Sequence, residues 1–139
     1  VSITEALHDR LAGDGPLVAL LATYQGAPAI FSADPIPGDA TLPCLVISGV
    51  EADEPNDTKD LRGREIRRRV RVYTDADGSE LLVDEIAERA RTLLHRNPLD
   101  LSADGQHCYV AEVTGPFTAP TDETLYGRAL DVRFLTMEA

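Results

Sequence analysis

Between Arg62 and Thr74, apolar residues fall on alternate positions and arginines fill most of the rest. Ile66, Val70 and Val72 share one side with Arg64 and Arg68, while Glu65, Arg67, Arg69, Arg71 and Tyr73 take the other. A period of two belongs to a β-strand, because successive side chains leave opposite faces of the pleat. The β-branched segment RVRVYT is its core. The face carrying Arg67, Arg69 and Arg71 cannot pack on a hydrophobic core, so this strand needs a sheet with one covered and one charged side.

The arginines stand out against their background. Residues 62–71 hold six arginines and Glu65, a local charge of +5 in a chain of formal net charge −11. The remainder is therefore near −16, and EADEPNDTKD (51–60) sets five acids against Lys59. A general polyanion binder has a basic face on a basic domain. Here the background repels phosphate, and a local carboxylate partner fits better than free DNA.

The other elements follow from spacing. Ser2 to Glu5 form a capping box, and Ile3, Leu7 and Leu11 give an amphipathic helix ending at Gly13. Pro16 suits the first turn of a second helical piece, PLVALLATY (16–24), which stops at Gly26. A short strand is expected near Ala29–Phe31, then an extended Pro-rich loop. CLVISGV (44–50) reads as a buried strand, and the acidic stretch 51–60 as a long loop. After a DADG turn (75–78), Ser79 opens a helix with Leu82, Ile86, Arg89/Ala90, Leu93 and Leu94 along one face, stopped by Asn97-Pro98. Two strands close the chain. HCYVAEVTGPF (107–117) alternates Cys108, Val110 and Glu112 against Tyr109, Ala111 and Val113. RALDVRFLT (128–136) has Leu130, Val132 and Phe134 on one face.

This order predicts an α+β fold: one mainly antiparallel sheet of about four to five strands with two main helical segments packed on it. The 139 residues are expected to form a single domain, 1–139. The longest apolar run, near Leu17–Ala22, is far short of the ~20 residues that span a bilayer. The start of the chain lacks the pattern of a secretory signal, so no membrane partner is expected.

Sites of chemistry are not legible. His8 and His95 fall on helices without a second ligand at i+4, and His107 and Cys108 point to opposite faces of a strand. Cys44 and Cys108 sit in apolar stretches and read as reduced, buried thiols; a Cys44–His nucleophile pair would need the fold to create it. GVEADEPND lacks the ligand order of an EF-hand, and no glycine spacing matches a phosphate loop. The expectation is no metal, no cofactor and no enzyme.

One arrangement spans the chain. ALHDRLAGDGPLVALLA leads through a Pro-rich segment into LPCLVISGVEADEP, then RRRVRVYTDADGSELLVDEIAERARTLL, and closes near GRALDVRFLT. This resembles the tail-completion, or tail-terminator, family of long-tailed bacteriophages, also carried by gene transfer agents. The match runs roughly over residues 3–136 and is best at the LPCLVI strand entry and from Arg69 to Leu94.

The resemblance implies a structural virion protein. Such proteins form a ring, six-fold in the family, on the finished tail tube, stop its growth and offer the surface that the head joins. It implies a homo-oligomer with the tail tube protein and a head-completion or connector protein as partners. DNA would pass through the ring without sequence-specific binding. The implied place is the head-proximal end of the tail, in a particle made in the bacterial cytoplasm.

A ring needs two different patches that meet. The expected pair is Arg67, Arg69 and Arg71 against carboxylates of a neighbour or of the tube, drawn from Glu51, Asp53, Glu54, Asp57 and Asp60 or from the start of the 79–96 helix. The alternatives are salt bridges to Glu65 and the 51–60 loop within one subunit, and DNA phosphates in the channel. The acidic loop itself is either a solvated hairpin tip or a segment that orders on assembly. Rival functions are a small cytoplasmic protein-binding adaptor, a head-completion connector subunit, and a small hydrolase or transferase.

Overall fold

The arginine-rich alternation does become a strand, and the fold is arranged around it. A computed structural model describes residues 3–32, 36–47, 50–119 and 124–138. Two helices come first, α1 (Ile3–Ala12) and α2 (Gly15–Leu20). Four short strands follow: β1 (Thr23–Tyr24), β2 (Ala27–Pro28), β3 (Ile30–Phe31) and β4 (Cys44–Val46). Then come β5 (Val50–Pro55), the 13-residue β6 (Gly63–Asp75), α3 (Leu81–Leu94), β7 (Gln106–Thr118) and β8 (Leu125–Glu138). The result is the expected α+β fold, with six strands in the main sheet and β1–β2 as a separate hairpin.

The sheet order is β3-β4-β6-β8-β7, with β5 also paired to β6. Among the described residues only β3 and β4 run parallel. β6 is long enough to serve two partners on one edge, β4 along Arg71–Tyr73 and β5 along Arg64–Arg68. Its other edge pairs with β8 over its whole length, from Gly63↔Met137 to Asp75↔Leu125.

The helices cover one sheet face. Leu7 and Leu11 of α1, Leu17 of α2 and Ile86 and Leu94 of α3 are fully buried against Ile66, Val70, Val72, Leu130, Val132 and Phe134. Each such aliphatic side chain contributes roughly 1.5–3 kcal/mol. Among the described residues the opposite face is covered at one end only, where Ala29, Phe31, Cys44 and Val46 pack with Tyr24, Leu42 and Tyr73.

Polar contacts fix the helical layer. Asp14 caps α2 by accepting from the Leu17 N–H at 2.9 Å, and its two oxygens accept from Arg89 of α3 at 2.8 and 2.7 Å. Arg10 of α1 donates to the carbonyl of Leu93 in the last turn of α3, which the helix leaves open, and to those of Asn97 and Pro98 just beyond it.

Four local expectations are corrected. α2 ends at Leu20 rather than near Tyr24, because the chain turns to the sheet: Ala22 donates to Pro43, and β1–β2 closes through Gln25 and Gly26, both at positive φ. Residues 50–55 are a strand, not a loop. Their side chains are mostly exposed, so no apolar alternation marks them, and pairing with β6 supplies the backbone bonds. On α3 the inward stripe is Val83, Ile86, Ala87, Ala90 and Leu94, while Leu82 lies outside it, about 100° round the helix from Val83. In β7 a bulge between Cys108 and Val110 resets the alternation, so Cys108, Ala111 and Val113 face the core together. The Ser2 half of the capping box lies outside the described residues.

Gly63 begins β6 because nothing larger fits. A Cβ there would stand 2.5 Å from the Asn56 carbonyl oxygen and 2.8 Å from that of Thr136.

Candidate functional site: the open face of the sheet

Across β5, β6, β8 and β7 the face away from the helices has no covering layer among the described residues. Its side chains are those that alternate with the core set: Glu65, Arg67, Arg69 and Arg71 on β6, Asp131, Arg133 and Leu135 on β8, Glu112 and Thr114 on β7.

The charges form a lattice. Arg69 donates to both oxygens of Asp131, directly opposite on β8, at 2.8 and 3.3 Å, and lies 3.4 Å from Glu51. Arg67 stands opposite Arg133, a like-charge pair that would repel. Glu65 resolves it: one oxygen accepts from Arg67 at 3.1 Å and from Arg133 at 2.8 Å. Arg133 also reaches Glu112 at 3.4 Å. The Arg133 bond, with the Arg67 bond behind it, holds the Glu65 carboxyl below its ordinary pKa. Arg71, opposite Ala129, is half-buried and has an interaction of its own.

The acids expected on the opposite patch are dispersed. Glu51 joins the lattice through Arg69. Asp53 pairs with Arg64 on the helix side of the hairpin. Glu54 is exposed and lies opposite Glu65, Asp57 accepts from the Gly63 N–H at 3.0 Å, and Asp60 is exposed at the hairpin tip. At the start of α3, Glu80 and Asp84 both bind Arg128 of β8. Arg67 and Arg69 thus have acidic partners in their own chain.

Asp131, Arg133 and Glu112 escaped the sequence reading. Alternation around Leu130, Val132 and Phe134 puts Asp131 and Arg133 on the charged face, but only the β6–β8 register reveals their partners. On the same strand β7, Tyr109 is 41% and Phe117 40% exposed. Such a mixture of paired charge and exposed aromatic side chains suits contact with another protein surface.

Other chemistry finds little footing. Cys44 and Cys108 are free and buried, and burial raises the Cys44 thiol to about 11. Among the described residues, no group of three or more His, Cys, Asp or Glu side chains could hold a metal ion. No described helix is long and apolar enough to cross a membrane.

The model of the family described as Tail completion protein gp17 matches residues 5–137. The chain belongs to that family. As a tail-completion protein it is a structural tail protein of a virion. No curated protein matches it in sequence. Among solved structures, a chain of the "Virion of native gene transfer agent (GTA) particle" has the same fold. The TM-score is 0.73 at 20% identity, covering 99% of this tail-completion chain and 94% of that one.

Proposed function

We propose that the protein forms a ring, of six subunits, that caps the tail tube at its head-proximal end, stops its growth and presents the surface to which the head joins. Residues 1–139 act as one domain in this role, and the role involves no catalysis. The open sheet face carries the contact to a neighbouring subunit or to the tube, with Arg67, Arg69 and Arg71 beside Glu51, Glu65, Asp131 and Arg133.

The observation behind this choice of surface is the charge lattice. Arg67 and Arg69 are already neutralised by carboxylates, so the face offers matched charge of both signs instead of a basic stripe. Docking of a second protein with complementary charges fits such a face. Phosphate binding, which draws on unneutralised positive charge, fits it less well. DNA is then expected to pass the ring without being held by its sequence.

The test is deletion of the gene in the producing cell, followed by negative-stain electron microscopy of the lysate. The expected products are full heads without tails and unattached tails, some abnormally long. Normal joined particles would end this reading.

A further inference from the structure

The end of α3 is fastened to the outer edge of the sheet by two hydrogen bonds. Among the described residues β7 pairs with β8 alone, so its other side carries backbone groups that point away from the sheet. Two of them, in the middle of the strand, meet the residues that follow α3. The Ala111 carbonyl accepts from the Arg96 N–H at 2.7 Å, and the Val113 N–H donates to Nδ1 of His95 at 3.1 Å. Arg96 stands at a positive φ, 55°, as the chain leaves the helix.

The second bond fixes the state of the imidazole. A backbone amide can only donate, so Nδ1 presents its lone pair and the ring is neutral, with its proton on Nε2. A charged imidazole carries hydrogen on both nitrogens. Nδ1–H would then meet the Val113 N–H, two donors with no acceptor between them, at a half-buried residue. Histidine is the side chain whose ordinary change of charge falls between about pH 5 and 8.

The charges of the surrounding elements are engaged elsewhere. On α3, Glu88 and Arg91 precede His95 by about two turns and one turn, and Arg96 follows it. From α1, Arg10 donates to the carbonyls of Leu93, Asn97 and Pro98, and His8 lies 3.8 Å from Asp9. Asp14, before α2, is held by Arg89, Asp100 by Ser102, and Glu112, beside Val113 on β7, by Arg133. On β6 Arg68 bonds to Thr4 and Ile47, and on β8 Arg128 binds Glu80 and Asp84 at the other end of α3. Among the described residues no carboxylate forms an ion pair with His95.

We propose that His95 is an acid-sensitive latch. Neutral, it holds the end of α3 on the middle of β7; charged, it releases the Val113 N–H and loosens the edge of the sheet there. An edge strand with freed backbone groups is open to pairing with another chain, so the latch keeps β7 covered at neutral pH. The latch does not rest on the ring reading above.

The experiment is amide hydrogen exchange of the full chain, followed by NMR from about pH 8 to 5, the range of histidine titration, and corrected for the intrinsic rate at each pH. Two variants accompany wild type. In His95→Asn the side-chain oxygen takes the place of Nδ1 and does not titrate; His95→Phe keeps a ring and offers no acceptor. In wild type the protection of Val113 should fall roughly tenfold towards the acid end, about the worth of one hydrogen bond. In His95→Asn it should stay level, and in His95→Phe it should be low throughout. The paired amides of β6 and β8, inside the sheet, should keep their protection in wild type over the same range.

Level protection of Val113 in wild type overturns the latch, because the bond then survives in acid. An acid-sensitive Val113 in His95→Asn overturns it too, since the sensitivity would come from another group. Loss of protection in β6 and β8 together with Val113 marks global unfolding and removes the local device. Should His95→Phe fail to fold, the comparison of wild type with His95→Asn decides alone.

Discussion

Arg67 and Arg133 face each other across β6 and β8, and both guanidinium groups close on one oxygen of Glu65. The strand pairing that buries Ile66, Val70, Leu130, Val132 and Phe134 on one face forces this like-charge encounter on the other, because register cannot serve one face without fixing both. Glu65 makes the register tolerable.

Replacing Glu65 with Gln should therefore lower the urea midpoint with the slope unchanged, since two arginines then meet without a charge between them. The pH dependence has a definite sign. The folded carboxyl lies below its ordinary value of 4.5, so its contribution is present above the unfolded pKa and is lost as pH falls through the folded one. Wild type should lose more stability than Glu65→Gln below about pH 4.5. Parallel midpoints of the two proteins from pH 7 to pH 3 would contradict the ion-pair account.

Asp14 serves two elements, capping α2 and binding Arg89 of α3. Asp14→Ala should cost about 1–2 kcal/mol through loss of the cap alone. Asp14→Asn keeps a cap acceptor and removes the charge, so it should fall between wild type and Ala. A double-mutant cycle with Arg89→Ala isolates the ion pair. Equal loss from Asn and Ala would show that the charge, not the cap, holds these helices.

The strands with strict alternation were legible because burial on one face imposes the pattern; β6 and β8 follow their sequence residue by residue. What stayed hidden has physical reasons. β5 is exposed on both sides, so backbone pairing holds it and no apolar period records it. The Tyr109 bulge changes the face of β7 without changing its composition. The charged face could be read on β6 alone, yet its function as a lattice depends on Asp131 and Arg133, about sixty residues away, and on a register that no local pattern states.

Both thiols should be silent in the folded protein. Cys44 is buried with its pKa raised to about 11, and burial raises Cys108 as well. Because the thiolate is the reactive form, a disulfide reagent at pH 8 should label neither cysteine within minutes in buffer and both in urea. Rapid native labelling of one thiol would show that its strand opens locally.

The open face can be tested without breaking the fold. Arg69→Asp alone places an acid beside Asp131 and Glu51 and should destabilise the subunit through like-charge contact. Adding Asp131→Arg restores the cross-strand pair with its polarity reversed. The double variant should regain most of the melting temperature that the single variant loses, because the pair across β6–β8 is restored and only the contact with Glu51 stays unfavourable. A partner surface, in contrast, meets two inverted charges at once, and like charges at a docking surface oppose binding. Joined particles should therefore stay scarce in a producer carrying the stable double variant. If particle numbers recover together with stability, the Arg69–Asp131 part of the face acts only within the subunit, and the contact must be sought elsewhere on the sheet.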